Sequence, residues 1–377
     1  PSVALKSAVF LFAALGCYSV IESDRFKLLS IAAVVLSVGL AAIVARTASA
    51  RAAGFCRGVR RSSVLLAAAL GLSTTAGLLT LPSLLESRRL AQLPPAEAGQ
   101  PNVLLIILDT VRASSLSLYG YERSTTPNLD RWSTSGVVFE QAIATSPWTL
   151  PSHASLFTGR YHYEVSADIG VPLDDEHPML AEVLSEYGYA TSGFAANRAY
   201  TTVASGLARG FARYEDYPVT WGRFLVSSWL SRTVSEALLP MRAPLWRTGR
   251  KNATAVTDEF LTWLSDREAE PEGRPFFTFL NYIDAHDPYV APDRFRRMFP
   301  REGPVILEKR EGITEEEMRG TRAAYDATIA FVDDELGRLF AELEARRVLD
   351  NTLVIVASDH GEHFGEHGLQ LHTNSLY

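Results

Sequence analysis

Residues 103–109 read Val-Leu-Leu-Ile-Ile-Leu-Asp, an uninterrupted apolar run of strand length that stops at an acidic residue. A run that is apolar at every position predicts a central strand of a parallel sheet, because helices cover both faces of such strands. Similar runs recur at residues 190–195, 276–282 and 352–357, and helical patterns lie between them, at residues 128–135, 177–187, 253–264 and 314–346. Strands that alternate with helices favour an α/β sandwich around a mostly parallel sheet.

The part of the chain before these strands has a different composition. Residues 1–100 hold ten Lys and Arg against four Asp and Glu, a net charge of +6, whereas the whole chain carries −7. Residues 91–101 are rich in Pro, Ala and Gly and show no periodicity, which is typical of a linker. We therefore expect a separate domain at residues 102–377, and its acidic charge argues against nucleic acid as a partner.

Three stretches within residues 1–90 predict transmembrane helices, at residues 3–21, 28–45 and 62–85. The third is an uncharged run of 24 residues, and at about 1.5 Å per residue it exceeds the roughly 30 Å hydrocarbon core of a bilayer. The second is also uncharged, and the first contains only Lys6, whose long side chain can reach the membrane surface. Because nothing polar alternates with the apolar residues, buried core helices are the weaker interpretation.

The loops between these stretches indicate how the chain is oriented. Five arginines and no acidic residue lie between the second and third stretches, at residues 46–61. By the positive-inside rule this loop is cytoplasmic, so the third helix leads out of the cytoplasm. We expect a multi-pass protein of the cell (inner) membrane whose domain at residues 102–377 is extracytoplasmic.

Acidic and imidazole side chains follow two of the predicted strands. Asp109 ends the first run, and Asp359 and His360 come just after residues 352–357. Since ligands of open α/β sheets collect at the carboxyl ends of the strands, we expect these side chains at one edge. Two carboxylates and an imidazole, joined by the hydroxyl of Thr149, are a suitable donor set for a divalent metal ion. Taken singly, each Asp has the alternative role of a helix cap.

Thr149 is the candidate nucleophile. It precedes Pro151 and Ser152 at the start of a predicted helix, where free backbone N–H groups and the helix dipole favour an anion by about 0.3 to 1 kcal/mol. A coordinated cation would lower the pKa of the hydroxyl much further. The alternative is that Thr149 only caps this helix.

Several segments accompany these residues in a fixed order. They are residues 101–112, 118–121 and 126–130, Thr149-Leu150-Pro151-Ser152-His153, Ser358-Asp359-His360-Gly361-Glu362 and residues 364–368. Together they resemble the sulfatase family of the alkaline phosphatase superfamily over nearly all of residues 101–377. The resemblance implies an alkaline phosphatase-like sandwich that is truncated here at its C-terminus.

The resemblance also implies roles for individual residues. Asp109, Asp359 and His360 would bind a divalent metal ion (Mn, Ca, Mg or Zn), with Thr149 at the nucleophile position as a further ligand. His286, in a His-x-Pro-Tyr segment, and the closing His372 would contact the anionic group under attack. His153 replaces the Arg that ends the sulfatase motif, and we expect it to bind the substrate. A second acidic ligand is replaced by Thr110, which favours a single metal ion.

The residue at the nucleophile position departs from the sulfatase pattern. Sulfatases carry Cys or Ser there and oxidise it to formylglycine, whereas oxidation of Thr149 would give a ketone, and residues 101–377 contain no Cys. A threonine nucleophile resembles instead the lipoteichoic acid synthases, phosphoethanolamine transferases and phosphodiesterases of the superfamily, which are often membrane-anchored.

The sequence therefore predicts a membrane-anchored, metal-dependent hydrolase or transferase with a covalent Thr149 intermediate. Its substrate would be an anionic, phosphate-type ester that is lipid-linked or glycan-linked. Two alternatives stay open. One is a sulfatase that acts without formylglycine, and the other is a noncatalytic sensor or scaffold that keeps the fold.

Overall fold

The structure, a computed structural model, describes residues 82–216, 251–268, 273–309 and 311–372. The predicted membrane helices at residues 3–21 and 28–45 lie outside these ranges, as does most of the third, at residues 62–85. None of the helices within the described ranges combines the length and the apolar character that a bilayer crossing requires.

Five parallel strands form the central sheet of the described residues. They are β1 (Asn102–Leu108), β2 (Ala190–Ala195), β3 (Arg213–Glu215), β4 (Phe276–Tyr282) and β5 (Thr352–Ala357), in the spatial order β3-β2-β4-β1-β5. Four of them match the predicted runs, and β1 lies inside the sheet as its apolar sequence requires. A small antiparallel pair follows, made of β6 (His363–Phe364) and β7 (Gln370–Leu371).

Six α-helices accompany these strands in the described residues, besides a helical segment at residues 82–90. They are α1 (Pro127–Ser133), α2 (Thr149–Thr158), α3 (Leu180–Glu186), α4 (Ala253–Glu268), α5 (Asp293–Met298) and α6 (Glu315–Ala345). The start of α6 shows why such boundaries are readable from sequence. Thr314 accepts a hydrogen bond from the backbone N–H of Glu317, whose carboxylate in turn accepts from the N–H of Thr314.

Helices cover both faces of the sheet, so that β1 contributes to two hydrophobic cores. Leu104 and Ile106 pack into a cluster with residues of α4 and α6. Leu105 and Ile107 point the other way, into a cluster with residues of α2 and with strand residue Phe279. Alternate residues of a strand face opposite sides of a sheet, so a fully apolar run is buried on both. The predicted α/β sandwich with a mostly parallel sheet is confirmed.

The segment before β1 lies against the domain. Residues 91–101 have no regular secondary structure, yet Pro101 accepts a hydrogen bond from the Tyr189 hydroxyl at 3.0 Å. Earlier in the chain, the buried carboxylate of Glu86 accepts from the Trp263 indole N–H at 2.6 Å. By their contacts, the residues from 83 to β1 therefore belong to the same compact unit as the sheet.

Candidate active site

The candidate site lies at the carboxyl edge of the sheet, where parallel pairing brings several strand ends together. Asp109 follows β1 directly, and Asp359 and His360 follow β5. The register places Ile107 of β1 opposite Asn281 of β4 on one side and opposite Ala357 of β5 on the other. Side chains separated by about 250 residues of sequence thus meet because strands of one direction end at one edge.

Asp109, Asp359 and His360 form a cluster that suits a metal ion. All three are buried, and their candidate ligand atoms lie within 4.8 Å of one another. One oxygen of each carboxylate, Oδ1 of Asp109 and Oδ2 of Asp359, is buried without a hydrogen-bond partner. Leaving a buried acceptor unpaired costs about 1–3 kcal/mol or more. A divalent cation would satisfy both oxygens, so the residues fit such an ion.

Burial and the neighbouring charges shift the pKa values of the two carboxylates in opposite directions. Burial opposes the charged form of Asp109, but the nearby imidazoles of His286 and His360 outweigh it, and the pKa of Asp109 is lowered. For Asp359, burial and the negative charge of Asp109 both raise the pKa. Two close carboxylates resist ionising together unless a positive charge compensates them.

The other oxygen of Asp359 is held by the backbone. Its Oδ1 accepts from the N–H groups of Thr110 at 3.1 Å and of His360 at 2.9 Å. Thr110 has a φ of 63°, a left-handed conformation that is uncommon for a non-glycine residue. At position 110, where the resemblance expected a second acidic ligand, the chain therefore supplies a backbone donor to Asp359.

Thr149 is the first residue of α2, and its hydroxyl faces the cluster. Its Oγ1 lies 3.3 Å from His360 Nε2 and 3.5 Å from Asn197 Nδ2, and the residue is only 2% exposed. The N-cap position belongs to Trp148, which makes no side-chain capping bond. The Thr149 hydroxyl thus contacts side chains of the site rather than the free N–H groups of its helix.

His153 lies one helical turn beyond Thr149 and is fully buried. Its Nδ1 bonds to the carbonyl oxygen of Thr149 at 2.8 Å and lies 3.6 Å from Asp359 Oδ2. Its ring meets Phe279 edge-on, with centroids 5.7 Å apart. Sequence reasoning expected His153 at the substrate, and its Nε2 is buried without a hydrogen-bond partner among the described residues.

His286 and His372 are brought beside His360. The ring centroid of His372 lies 4.8 Å from that of His286 and 4.9 Å from that of His360. His286 Nδ1 contacts Asp287 Oδ1 at 2.7 Å. Burial would lower the pKa of His286, but the bond to Asp287 and the charge of Asp109 raise it to about 9. His286 is therefore a cation at neutral pH, suited to an anionic substrate group.

Three buried residues of this edge were not predicted from the sequence. Asn197 and Asn281 both donate to Asp109 Oδ2, at 2.8 and 3.4 Å. Glu362 bonds to His372 Nδ1 with one oxygen and to the Tyr289 hydroxyl with the other. A signal existed for Asn281, because an amide inside the apolar run 276–282 must find partners once buried.

Known proteins are similar to this chain in sequence and in fold. The chain is 30% identical over 340 residues to the multifunctional alkaline phosphatase superfamily protein PehA of Trinickia caryophylli, covering 71% of this chain and 64% of that protein. The structure of the phosphonate monoester hydrolase of Agrobacterium radiobacter superposes on this chain with a TM-score of 0.55 at 26% identity. The match covers 72% of this chain and 64% of the hydrolase chain.

A second similar structure is the soluble domain of lipooligosaccharide phosphoethanolamine transferase A from Neisseria meningitidis. Its TM-score is 0.52 at 21% identity, over 76% of this chain and 75% of that one. The chain spans less than two thirds of the curated relatives it matches, 64% in the case of PehA. The sulfatase family model matches residues 101–376. The chain therefore belongs to the sulfatase family, within the alkaline phosphatase superfamily.

Proposed function

We propose that this protein is a membrane-anchored, metal-dependent hydrolase or transferase of phosphate-type esters that forms a covalent intermediate on Thr149. Family membership supports a hydrolase or a phosphoester transferase as the class. The observation that carries the finer proposal is the position of the Thr149 hydroxyl. It lies 3.3 Å from His360, beside two carboxylates that each keep one unpaired buried oxygen.

The residue type at position 149 favours phosphate over sulfate. Threonine cannot be converted to the formylglycine aldehyde, and no Cys in residues 101–377 can replace it. A threonine alkoxide is competent to attack phosphorus directly. The similar structures include a phosphonate monoester hydrolase and a phosphoethanolamine transferase, so phosphorus chemistry occurs on this fold.

Different residues of the site would bind the metal ion, attack phosphorus and hold the anionic oxygens. Asp109, Thr149, Asp359 and His360 would hold the metal ion, which supplies Lewis acidity and lowers the pKa of the hydroxyl. The Thr149 hydroxyl loses its proton to solvent, and its Oγ1 bonds to phosphorus as the ester bond on the opposite side breaks and the leaving oxygen departs with the electron pair. Water or an acceptor hydroxyl then displaces Oγ1 from phosphorus and returns a proton to it. His372 lies next to both His286 and His360, so the N–H groups of His286 and His372 can hold the anionic oxygens.

The membrane part of the proposal rests on the sequence. Three predicted helices at residues 3–21, 28–45 and 62–85 would anchor the protein in the cell (inner) membrane, with the domain at residues 102–377 outside the cytoplasm. A lipid-linked or glycan-linked ester is the substrate class that this placement favours. Single cysteines introduced at exposed positions of the domain test this placement. In intact cells they should react with a membrane-impermeant alkylating reagent. Cysteines that stay unmodified would contradict a location outside the cytoplasm.

Substitution of the nucleophile tests the catalytic proposal. The full-length protein in detergent, with added Mn²⁺, should release nitrophenol from bis-p-nitrophenyl phosphate, and Thr149→Val should reduce turnover by at least about 1,000-fold. Thr158→Val is the matched control, because Thr158 ends the same helix and bonds only to the Ala154 carbonyl and the Arg160 N–H. Full turnover by Thr149→Val would refute the mechanism.

A sulfatase without formylglycine is the second candidate, favoured by the family model and by curated relatives such as a choline-sulfatase of Rhizobium meliloti. Matched aryl sulfate and aryl phosphate esters separate the two candidates. We expect the phosphate ester to be the better substrate, and a strong preference for sulfate would reverse the choice. Failure of the protein to bind any divalent metal ion in calorimetry would instead support a noncatalytic scaffold.

A further inference from the structure

Asn197 lies between the candidate metal ligands and the candidate nucleophile. It comes two residues after β2 and is 2% exposed. Its amide Nδ2 is 2.8 Å from Asp109 Oδ2 and 3.5 Å from Thr149 Oγ1. No other amide of the described residues contacts both Asp109 and Thr149. One side chain thus connects two segments that the sheet and helix α2 supply separately.

The orientation of this amide is fixed by its surroundings. Its Oδ1 accepts from the backbone N–H groups of Ala199 at 3.1 Å and of Tyr200 at 3.2 Å. Backbone N–H groups can only donate, and an ionised Asp109 carboxylate can only accept. The amide therefore has a single arrangement that satisfies its partners, with both of its hydrogens turned toward Asp109 and Thr149.

A second asparagine holds the first in place. Asn281, on β4, accepts from the backbone N–H of Asn197 at 2.9 Å and from that of Ala196 at 3.3 Å. Its own Nδ2 lies 3.4 Å from Asp109 Oδ2. Both amides thus converge on Oδ2 of Asp109, which leaves Oδ1 as the oxygen available to a cation. The loop after β2 has little freedom to move relative to the sheet.

We propose that Asn197 is a positioning residue, which holds the oxygen of Thr149 at a set place relative to Asp109. This inference rests on the proposed role of Thr149 as nucleophile. The 3.5 Å separation is long for a hydrogen bond, and such contacts in free enzymes often shorten in the reacting complex. If the Asn197 N–H binds one lone pair of the Thr149 oxygen, a different lone pair is left directed at the substrate. A misplacement of about 1 Å in such an arrangement can cost about 100-fold in rate.

Two substitutions separate positioning from folding. Asn197→Asp keeps the oxygen that accepts from Ala199 and Tyr200 but removes both donors, whereas Asn197→Ala removes all contacts. With bis-p-nitrophenyl phosphate, full-length protein and saturating Mn²⁺, we expect kcat to fall about 10- to 100-fold in both variants. We expect KM to stay within about threefold, because the amide contacts the nucleophile and not the substrate.

Asn252→Ala is the matched control. Asn252 is exposed, and its Oδ1 accepts from the Ala255 backbone N–H at 3.0 Å at the start of α4, so its loss should leave both kinetic constants unchanged. Calorimetry gives a readout apart from turnover. The Asn197→Ala protein should still bind Mn²⁺, at most about 100-fold more weakly, because it loses only a group that supports the ligand Asp109.

The outcomes distinguish this inference from the proposed function. If kcat of Asn197→Ala returned to the wild-type value at saturating Mn²⁺, the amide would act only on the ligand Asp109 and the inference would fail. A raised KM with unchanged kcat would also overturn it, because Asn197 would then contact substrate. If wild-type protein and Thr149→Val turned over alike, the proposed function and this inference would fall together.

Discussion

Two unpaired oxygens decide how the site is interpreted at the scale of single residues. Asp109 Oδ1 and Asp359 Oδ2 are buried without a hydrogen-bond partner, while the second oxygen of each carboxylate is bonded. Native proteins pair nearly all such atoms. An unsatisfied pair facing a common centre, beside the imidazole of His360, is the arrangement that a divalent cation completes.

Metal binding should therefore stabilise the fold through these two carboxylates. Mn²⁺ at about 100 times its dissociation constant should raise the free energy of unfolding by about 2.7 kcal/mol, because it binds the folded state. Thermal unfolding with Mn²⁺ and with a chelator measures the change. Asp359→Asn should lose most of it, whereas Asp350→Asn, at an exposed position, should keep it. Equal stabilisation of both variants would place the ion elsewhere.

The charge of His286 predicts a pH dependence. Burial lowers its pKa, but the bond to Asp287 and the charge of Asp109 raise it to about 9. If the cation holds the substrate anion, kcat/KM should fall as the pH rises through the raised pKa of His286, which Mn²⁺ bound at Asp109 will lower from about 9. Asp287→Asn removes the raising contact, so the alkaline limb should move to lower pH. Profiles at saturating Mn²⁺ test this, and an unmoved limb would remove His286 from substrate binding.

At the scale of elements, largely apolar runs located four of the five strands, and β1, β2 and β4 are buried along nearly all of their length. β3 was missed, since Arg213–Glu215 is short and polar and is a strand only through pairing with Ser192, Gly193 and Phe194 of β2. The metal-ligand candidates were readable because they follow strand ends. Asn197 was not, because its partners Asp109 and Thr149 are distant in sequence and become neighbours only in the fold.

Where α1 packs against α6, residues that are distant in sequence also form hydrogen bonds. Buried Asp333 of α6 accepts from the backbone N–H groups of Asn128 at 2.8 Å and Leu129 at 2.9 Å, the free donors at the start of α1. Asp333→Ala should lower the free energy of unfolding by about 1–3 kcal/mol. Glu344→Ala, exposed on the same helix, should change it by less than about 0.5 kcal/mol. Urea titration compares them, and equal stabilities would contradict the capping role.

At the scale of the whole molecule, the described domain includes residues before its first strand. Glu86 accepts from the Trp263 indole N–H at 2.6 Å and from Arg213 at 3.2 Å, so it joins the helical segment at residues 82–90 to α4 and β3. Composition alone placed the linker at residues 91–101, because Pro and Gly content does not reveal which residues pack. By its contacts, the chain from residue 83 to β1 groups with the domain.

Loss of Glu86 should weaken this attachment. Glu86→Ala leaves the buried Trp263 N–H and Arg213 without their shared acceptor, and it should cost about 1–3 kcal/mol in the free energy of unfolding. Glu97→Ala, at an exposed position between this segment and β1, should have little effect. Urea unfolding of the two variants compares their stabilities. Equal stability of the two variants would show that residues 82–90 add nothing to the domain.

The most direct test of the proposed chemistry is to trap the covalent intermediate. Full-length protein with Mn²⁺ is mixed with bis-p-nitrophenyl phosphate, quenched in acid within the first turnover, and mapped by peptide mass spectrometry. We predict that the peptide containing Thr149 gains the mass of a p-nitrophenyl phosphoryl group on that residue, and that Thr149→Val shows no such gain. Rapid turnover with an unmodified Thr149, or with the group on another residue, would contradict the assignment of Thr149 as the nucleophile.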